Sequence, residues 1–235
     1  MLDFDFEPEA PTWSKRVAAF DLETTGLDLA TARIVTACVA VLDSAGEVEV
    51  LHEFLVNPGI DIPQSASDVH GVTTEMASLN GMAPEIAIAQ ITAILRELQA
   101  AMPLVAFNAP YDFTILVNEA KRYQIEPLQP LPVIDPLVLD RRVDKYRKGK
   151  RNLVVTSEHY GVELTDAHNS TADAVAAGRL AQQLAKKYPD LDLPIGYLHA
   201  AQAKSSDEQA ESFAEFMRKQ NRPDFRAELG WPVRF

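Results

Sequence analysis

A mixed α/β sheet covered by helices is the fold class this sequence predicts. Three observations carry it. The opening third reads as strands, two of them joined by a short glycine turn. Later short apolar runs alternate with amphipathic helical stretches, and 47% of the 235 residues are hydrophobic, enough for a sizeable core.

Arg16–Asp21, Arg33–Asp43 and Glu47–Val56 read as three strands, and Ser44-Ala45-Gly46 between the last two favours an antiparallel hairpin. Asn57-Pro58-Gly59 ends the third strand. From Ala83 to Ala101, Ile86, Ile91, Ile94, Leu95 and Leu98 recur near helical spacing behind Pro84, which predicts an amphipathic helix. Leu104–Phe107 fits a buried strand, and Asn108 with Pro110 supplies an N-cap and a first-turn proline for a helix to about Arg122. After the proline-rich segment 127–132, Val133-Ile134 predicts a short strand with Asp135 at its end. Helices follow at 136–145, 152–160 and 170–187, the last with Ser170 as N-cap, and at Ser205–Gln220 with Phe213, Phe216 and Met217 on its apolar side. Trp231-Pro232-Val233-Arg234-Phe235 reads as a segment docking on its own domain. The organisation is an extension over 1–15, a domain over 16–187 and a partly helical extension over 188–235.

Composition narrows the class. The single cysteine, Cys38, lies in an apolar run and reads as a core residue in a reducing compartment. The opening Met1–Glu7 lacks the order of a secretion signal, and no apolar run approaches the ~20 residues of a membrane helix, so a soluble, cytoplasmic protein is expected. A net charge of −12 opposes nucleic-acid binding as a sum, because phosphate repels an acidic surface. Distribution changes that. The stretch 141–151 sets Arg141, Arg142, Lys145, Arg147, Lys148, Lys150 and Arg151 against Asp144 alone, a local +6 on a remainder of −18. It reads equally as a basic tongue for a polyanion and as a solvated loop.

Asp21 and Glu23 are two apart at the end of the apolar segment Val17–Phe20, so both carboxylates point to one face of a strand. Two like charges at a buried strand are costly unless a hard divalent cation compensates, although the pair alone also fits a solvated strand end. Asp112, in the first turn of the helix after Leu104–Phe107, and Asp173, three residues beyond Ser170, sit at strand–helix junctions where such sheets build their sites. Each alone reads as a helix-dipole or capping-box acid.

Together the runs say more. Phe20-Asp21-Leu22-Glu23-Thr24-Thr25-Gly26, Asn108-Ala109-Pro110-Tyr111-Asp112 and Ala167-His168-Asn169-Ser170-Thr171-Ala172-Asp173-Ala174 resemble, in order, the three motifs of the DEDDh 3′-to-5′ exonucleases. This is the DnaQ-like group, which includes the proofreading epsilon subunit of bacterial DNA polymerase III, ribonuclease T and oligoribonuclease. The resemblance covers Arg16 to Lys187 and includes the accessory run Val69-His70-Gly71-Val72-Thr73. The sister subgroup would carry a tyrosine where this chain has Asn169.

The resemblance implies a ribonuclease H-like exonuclease fold. It implies that Asp21, Glu23, Asp112 and Asp173 hold two Mg²⁺ or Mn²⁺ ions, with Asp21 bridging them, and that His168 is the general base. The reaction implied is release of nucleoside 5′-monophosphates from the 3′ end of DNA, in proofreading or repair. RNA as substrate, and a polymerase-associated binding module without catalysis, are the alternatives. The partner implied is a nucleic-acid 3′ end, single-stranded DNA or RNA, with a DNA polymerase as a further partner. Thr24, Gly26, Leu27, His70, Asn108, Tyr111 and Phe113 are candidates for contacting the terminal nucleotides by stacking or polar contact, and Lys148, Lys150 and Arg151 for tracking phosphates. His70 reads equally as a loop histidine bonded to backbone, and Phe113 as core.

Overall fold

The computed structural model describes residues 10–234; residues 1–9 of the expected N-terminal extension, and Phe235, lie outside the described residues. Five strands form one sheet: β1 (Val17–Thr24), β2 (Ile34–Leu42), β3 (Val48–Leu55), β4 (Leu104–Val105) and β5 (Val133–Ile134), in the order β3-β2-β1-β4-β5. β1 pairs antiparallel with β2, which pairs antiparallel with β3, and β1, β4 and β5 run parallel. The mixed sheet is the one expected. Its hairpin turn closes as predicted: Gly46 takes a φ of 82°, and Asp43 Oδ1 accepts from the amides of Ala45 and Glu47.

Helices cover both faces, so β1 is a continuous apolar run over Val17–Phe20 instead of an alternating one. Ala18, Phe20 and Leu22 face α3 (Pro84–Leu98) and α4 (Pro110–Arg122), where the rings of Phe20 and Phe113 meet at 5.5 Å. Val17 and Ala19 face α7 (Ser170–Lys187). Small residues let α7 ride close to the sheet: Ala174, Ala177, Gly178 and Ala181 are buried there. A Cβ on Gly178 would stand 2.4 Å from Leu42 Cδ1 and 3.1 Å from Ala19 Cβ. Gln182 of α7 donates to the carbonyls of Ser14 and Asp43, fixing the helix at its far end.

Three features depart from the sequence expectation. Helices α1 (Gln64–His70) and α2 (Thr74–Asn80) occupy a stretch with no apolar periodicity, because α1 buries no residue and α2 only Ala77. α5 (Pro136–Val143) and α6 (Leu153–His159) fall where expected, but α8 (Ile195–Lys219) begins at Ile195 and not at Ser205. Its first half hides polar groups. β5 is an edge strand, and α8 supplies the partners its backbone lacks: Val133 N–H donates to His199 Nδ1 (3.0 Å), Gln202 Nε2 donates to Val133 O (3.0 Å), and Asp135 N–H donates to Gln202 Oε1 (2.7 Å). A helix whose sheet-facing side is partly amide and imidazole is invisible to a search for apolar spacing.

The caps also shift by one residue. Asn169, not Ser170, caps α7, its Oδ1 accepting from Thr171 and Ala172 amides. Asn108 does not cap α4: it takes a left-handed φ of 65°, and Ala109 is the cap without a side-chain bond.

Candidate active site

The parallel strands β1 and β4 end on the same side of the sheet, and four acids gather there. Asp21 and Glu23 extend the α7-facing side of β1, opposite Cys38 and Thr36 of β2. Thr36 Oγ1 bonds Ser170 Oγ at 3.1 Å, which draws the first turn of α7, and with it Asp173, over the strand end. Asp112, in the first turn of α4, accepts from the Leu22 N–H at 3.1 Å and so is tied directly to β1 between the other two acids. Asp112 and Asp173 are nearly inaccessible.

Electrostatics shows the convergence. Burial raises the Asp21 carboxyl well above the usual carboxylate range, and the charges of Asp112, Asp173 and Glu23 raise it further. Burial and Asp173 push Glu23 up to about 8. Asp112 is raised by burial, against the hydrogen bond from Leu22 N–H, and Asp173 is raised by burial, against the bond from His168 N–H. Four acids gathered at one strand end, two of them buried and two partly so, are an unfavourable arrangement of charge for a metal-free protein at neutral pH.

The arrangement fits hard divalent cations. The donor set is all oxygen apart from one imidazole. Asp173 Oδ1 is buried with no hydrogen-bond partner among the described residues, while ligand atoms of Glu23, His168 and Asp173 lie within 4.8 Å of one another. His168 is exposed at the rim, at a φ of 73°, with its N–H donating to Asp173 Oδ2 at 3.1 Å. A left-handed conformation is costly for a side-chain-bearing residue and marks a position held by its surroundings.

The other candidates divide. Leu27 is 85% exposed beside Gly26, and the Asn108 side chain is exposed at the turn into α4. Thr24 is buried and spent on structure: its Oγ1 donates to Gly26 O at 2.8 Å and lies 2.6 Å from the Tyr111 hydroxyl, which is also 3.0 Å from Gly26 O. These bonds set the turn that presents Leu27. His70 ends α1 and accepts from Val72 N–H at 3.2 Å through Nδ1, the backbone-bonded reading, though on a helix and not in a loop. Its Nε2 is buried without a partner among the described residues.

Two candidates are corrected. Phe113 is fully buried against Phe20, so it has no face to offer a base. Arg151 does not reach outward to phosphates. It and Arg147 turn inward on the buried Asp140, at 2.7 and 2.8 Å, joined by the Tyr160 hydroxyl at 2.9 Å. Arg151 also donates to the carbonyls of Asp144 and Arg147. Lys145, Lys148 and Lys150 are the exposed cations of that loop.

Sequence reasoning missed the part played by Asp135, which accepts from the amides of Asn108 and Ala109 and so holds the turn that launches α4. Asp135-Pro136 carried a readable signal, an N-cap before a first-turn proline, and Asp135 does cap α5. Its second duty joins distant segments and leaves no local trace. A cleft also lies at the other end of the sheet, among Trp13, Met102, Pro103 and Leu193, far from the acids, so chemistry and not depth locates the site.

Comparison with known proteins agrees with this geometry. The sequence profile of the RNase_T family, described as Exonuclease, matches residues 18–181. DNA polymerase III PolC-type from Oceanobacillus iheyensis is 29% identical over 190 residues, covering 80% of this chain and 12% of its own length. The PolC-type enzyme of Streptococcus thermophilus strain LMD-9 is 30% identical over 68% of this chain and 10% of its own. A DNA polymerase III subunit epsilon-like protein from Rhodobacter capsulatus is 31% identical over 72% of this chain and 23% of its own. The chain thus spans a small part of these relatives. Exonuclease I superposes with a TM-score of 0.65 at 20% identity, over 76% of this chain and 42% of its own, and the nuclease domain of 3′hExo bound to rAMP with 0.64 at 13% identity, over 79% and 98%. These structures share the ribonuclease H-like exonuclease fold. With a profile matched from the start of β1 to the middle of α7, the chain belongs to the RNase_T exonuclease family, in its DnaQ-like DEDDh group.

Proposed function

We propose that the protein is a metal-dependent 3′-to-5′ exonuclease that hydrolyses the phosphodiester bonds of DNA from the 3′ end and releases nucleoside 5′-monophosphates. One observation carries this reading: carboxyls from β1, α4 and α7 gather at one strand end, where ligand atoms of Glu23, Asp173 and the exposed His168 lie within 4.8 Å of one another. Asp21, Glu23, Asp112 and Asp173 would hold two Mg²⁺ or Mn²⁺ ions. When bound, such a pair stabilises charge on both the attacking and the leaving oxygen of an in-line displacement.

The chain's own groups do the rest. His168 accepts the proton of the attacking water through an exposed imidazole that stands beside Glu23 and Asp173. Its backbone bond to Asp173 keeps the ring beside Glu23. Leu27, held out by the Thr24–Tyr111–Gly26 bonds, offers an apolar surface to the terminal base, and the Asn108 side chain offers polar contact. Lys148 and Lys150 attract the phosphate backbone toward an otherwise acidic molecule.

DNA is favoured because PolC-type and epsilon-like polymerase III proteins are among the relatives and exonuclease I has been crystallised with a dT13 oligonucleotide. The same likeness supports a role in proofreading or repair with a polymerase as partner. RNA is the second reading, supported by the rAMP on 3′hExo.

The test uses 5′-labelled single-stranded DNA, duplex DNA and RNA with Mg²⁺ or Mn²⁺. A ladder shortening from the 3′ end, strongest on DNA and absent with Asp112→Ala, is expected. His168→Ala should lower turnover about 10²–10⁴-fold while Mn²⁺ binding by calorimetry stays near wild type. Shortening that survives in Asp112→Ala, or full turnover in His168→Ala, would sink the assignment.

A further inference from the structure

Asp135 is fully buried, is not one of the four acids at the strand ends, and gathers N–H donors from two distant segments as well as from the helix it caps. Its Oδ1 accepts from the amides of Asn108 and Leu137 at 3.0 Å and, more weakly, Val138 at 3.4 Å. Its Oδ2 accepts from Ala109 N–H at 3.0 Å and from the indole Nε1–H of Trp231 at 3.2 Å. Leu137 and Val138 are the ordinary clients of a helix cap. Asn108 and Ala109 are not: they form the turn from which α4 departs, and the first turn of α4 carries Asp112.

That turn needs holding. Asn108 sits at a φ of 65°, and such a conformation persists where the surroundings over-determine it. Ala109 has no side chain with which to cap α4, so the Asp135 carboxylate does the anchoring from outside.

Trp231 completes that anchor from 96 residues away in sequence. Its ring is buried with the α4-side core and lies 4.8 Å from the His199 ring, which itself accepts from Val133 N–H of β5. Three residues on, Arg234 N–H donates at 2.9 Å to Thr114 Oγ1 of α4, two residues past Asp112. One short segment thus grips α4 directly and grips its launching turn through Asp135.

We propose that Trp231 is a positioning residue for the nuclease site: its indole N–H holds the Asp135 carboxylate in the orientation that fixes the Asn108–Ala109 turn, and through it the Asp112 carboxylate. The proposal rests on the nuclease reading of the four acids. A tryptophan serving only to fill space would act through its ring alone, whereas this one acts through its donor.

The test separates donor from ring. Trp231→Phe keeps an aromatic ring against His199 and removes the N–H. On single-stranded DNA with saturating Mn²⁺, kcat is expected to fall about tenfold with KM unchanged, the scale of one lost hydrogen bond to a charged group. In the metal-free variant, the Asn108 and Ala109 amides should exchange with deuterium about tenfold faster, while Ala40 in the middle of the sheet keeps its wild-type rate and reports an intact fold. Asp135→Asn leaves one acceptor oxygen for these donors and should lower kcat further, and adding Trp231→Phe to it should change nothing more. Wild-type kcat and wild-type amide exchange in Trp231→Phe, or strictly additive losses in the double variant, would overturn the proposal. A wild-type protein with no activity on any strand would overturn the nuclease reading instead, and the amide exchange of the metal-free protein would still decide whether Trp231 holds the turn.

Discussion

At the scale of single residues, the site is defined by acids that destabilise one another. Asp21 has burial and three neighbouring carboxyls against its ionisation. Removing its charge should therefore help the metal-free fold while disabling the site. Asp21→Asn is expected to raise the melting temperature of the metal-free protein by a few degrees, the shift of about 1 kcal/mol in a domain of this size. Mn²⁺ should raise the melting temperature of wild type and leave the variant unmoved, and scanning calorimetry with and without Mn²⁺ checks both halves. These acids were legible in the sequence because chemistry limits the residue types that can do the work. Phe113 stayed open between core and contact, and Arg151 was misread, for the opposite reason: an aromatic ring or a guanidinium serves a core or an ion cluster as readily as a ligand, and only burial against Phe20 or Asp140 decides.

At the scale of elements, the loop between α5 and α6 shows how cations read as a binding tongue become structural. Asp140, fully buried, receives Arg147, Arg151 and Tyr160, and these bonds outweigh its burial and hold its carboxyl below the usual carboxylate range. A lowered folded-state value means stability present above the unfolded value, near 4, and lost as pH falls through the folded one. Asp140→Ala, which strands two guanidinium groups, should cost about 3–5 kcal/mol at pH 7. The difference between wild type and variant in urea unfolding should shrink below pH 4. The strands and long helices were readable from apolar spacing, including α3, expected over Ala83–Ala101 and observed over Pro84–Leu98. α1 and α2 were not, since they bury almost nothing, and the start of α8 was not, since it turns half-buried His199 and buried Gln202 to the edge of β5.

At the scale of the whole molecule, a net charge of −12 means that the proposed contact with a polyanion rests on locally exposed cations. With Arg147 and Arg151 committed to Asp140, the exposed Lys148 and Lys150 are the ones to test. Replacing both with alanine should flatten the dependence of log K on log salt by about 1.4 for a single strand, two phosphate contacts' worth, as read by fluorescence anisotropy over a salt series. An unchanged slope would remove the loop from the binding surface. Among the described residues no helix is long and apolar enough to cross a membrane.

The close seat of α7 on the sheet has a consequence for which acid stands where. At Gly178 the helix is too near Leu42 and Ala19 to admit even a methyl group without something moving. The same helix carries Asp173 in its first turn, where Ser170 Oγ meets Thr36 Oγ1 of β2, so the close seat at 178 and the position of the acid belong to one rigid element. A glycine five residues along the helix from Asp173 thereby helps set the depth at which that acid is delivered to the strand end, although it offers no ligand atom itself.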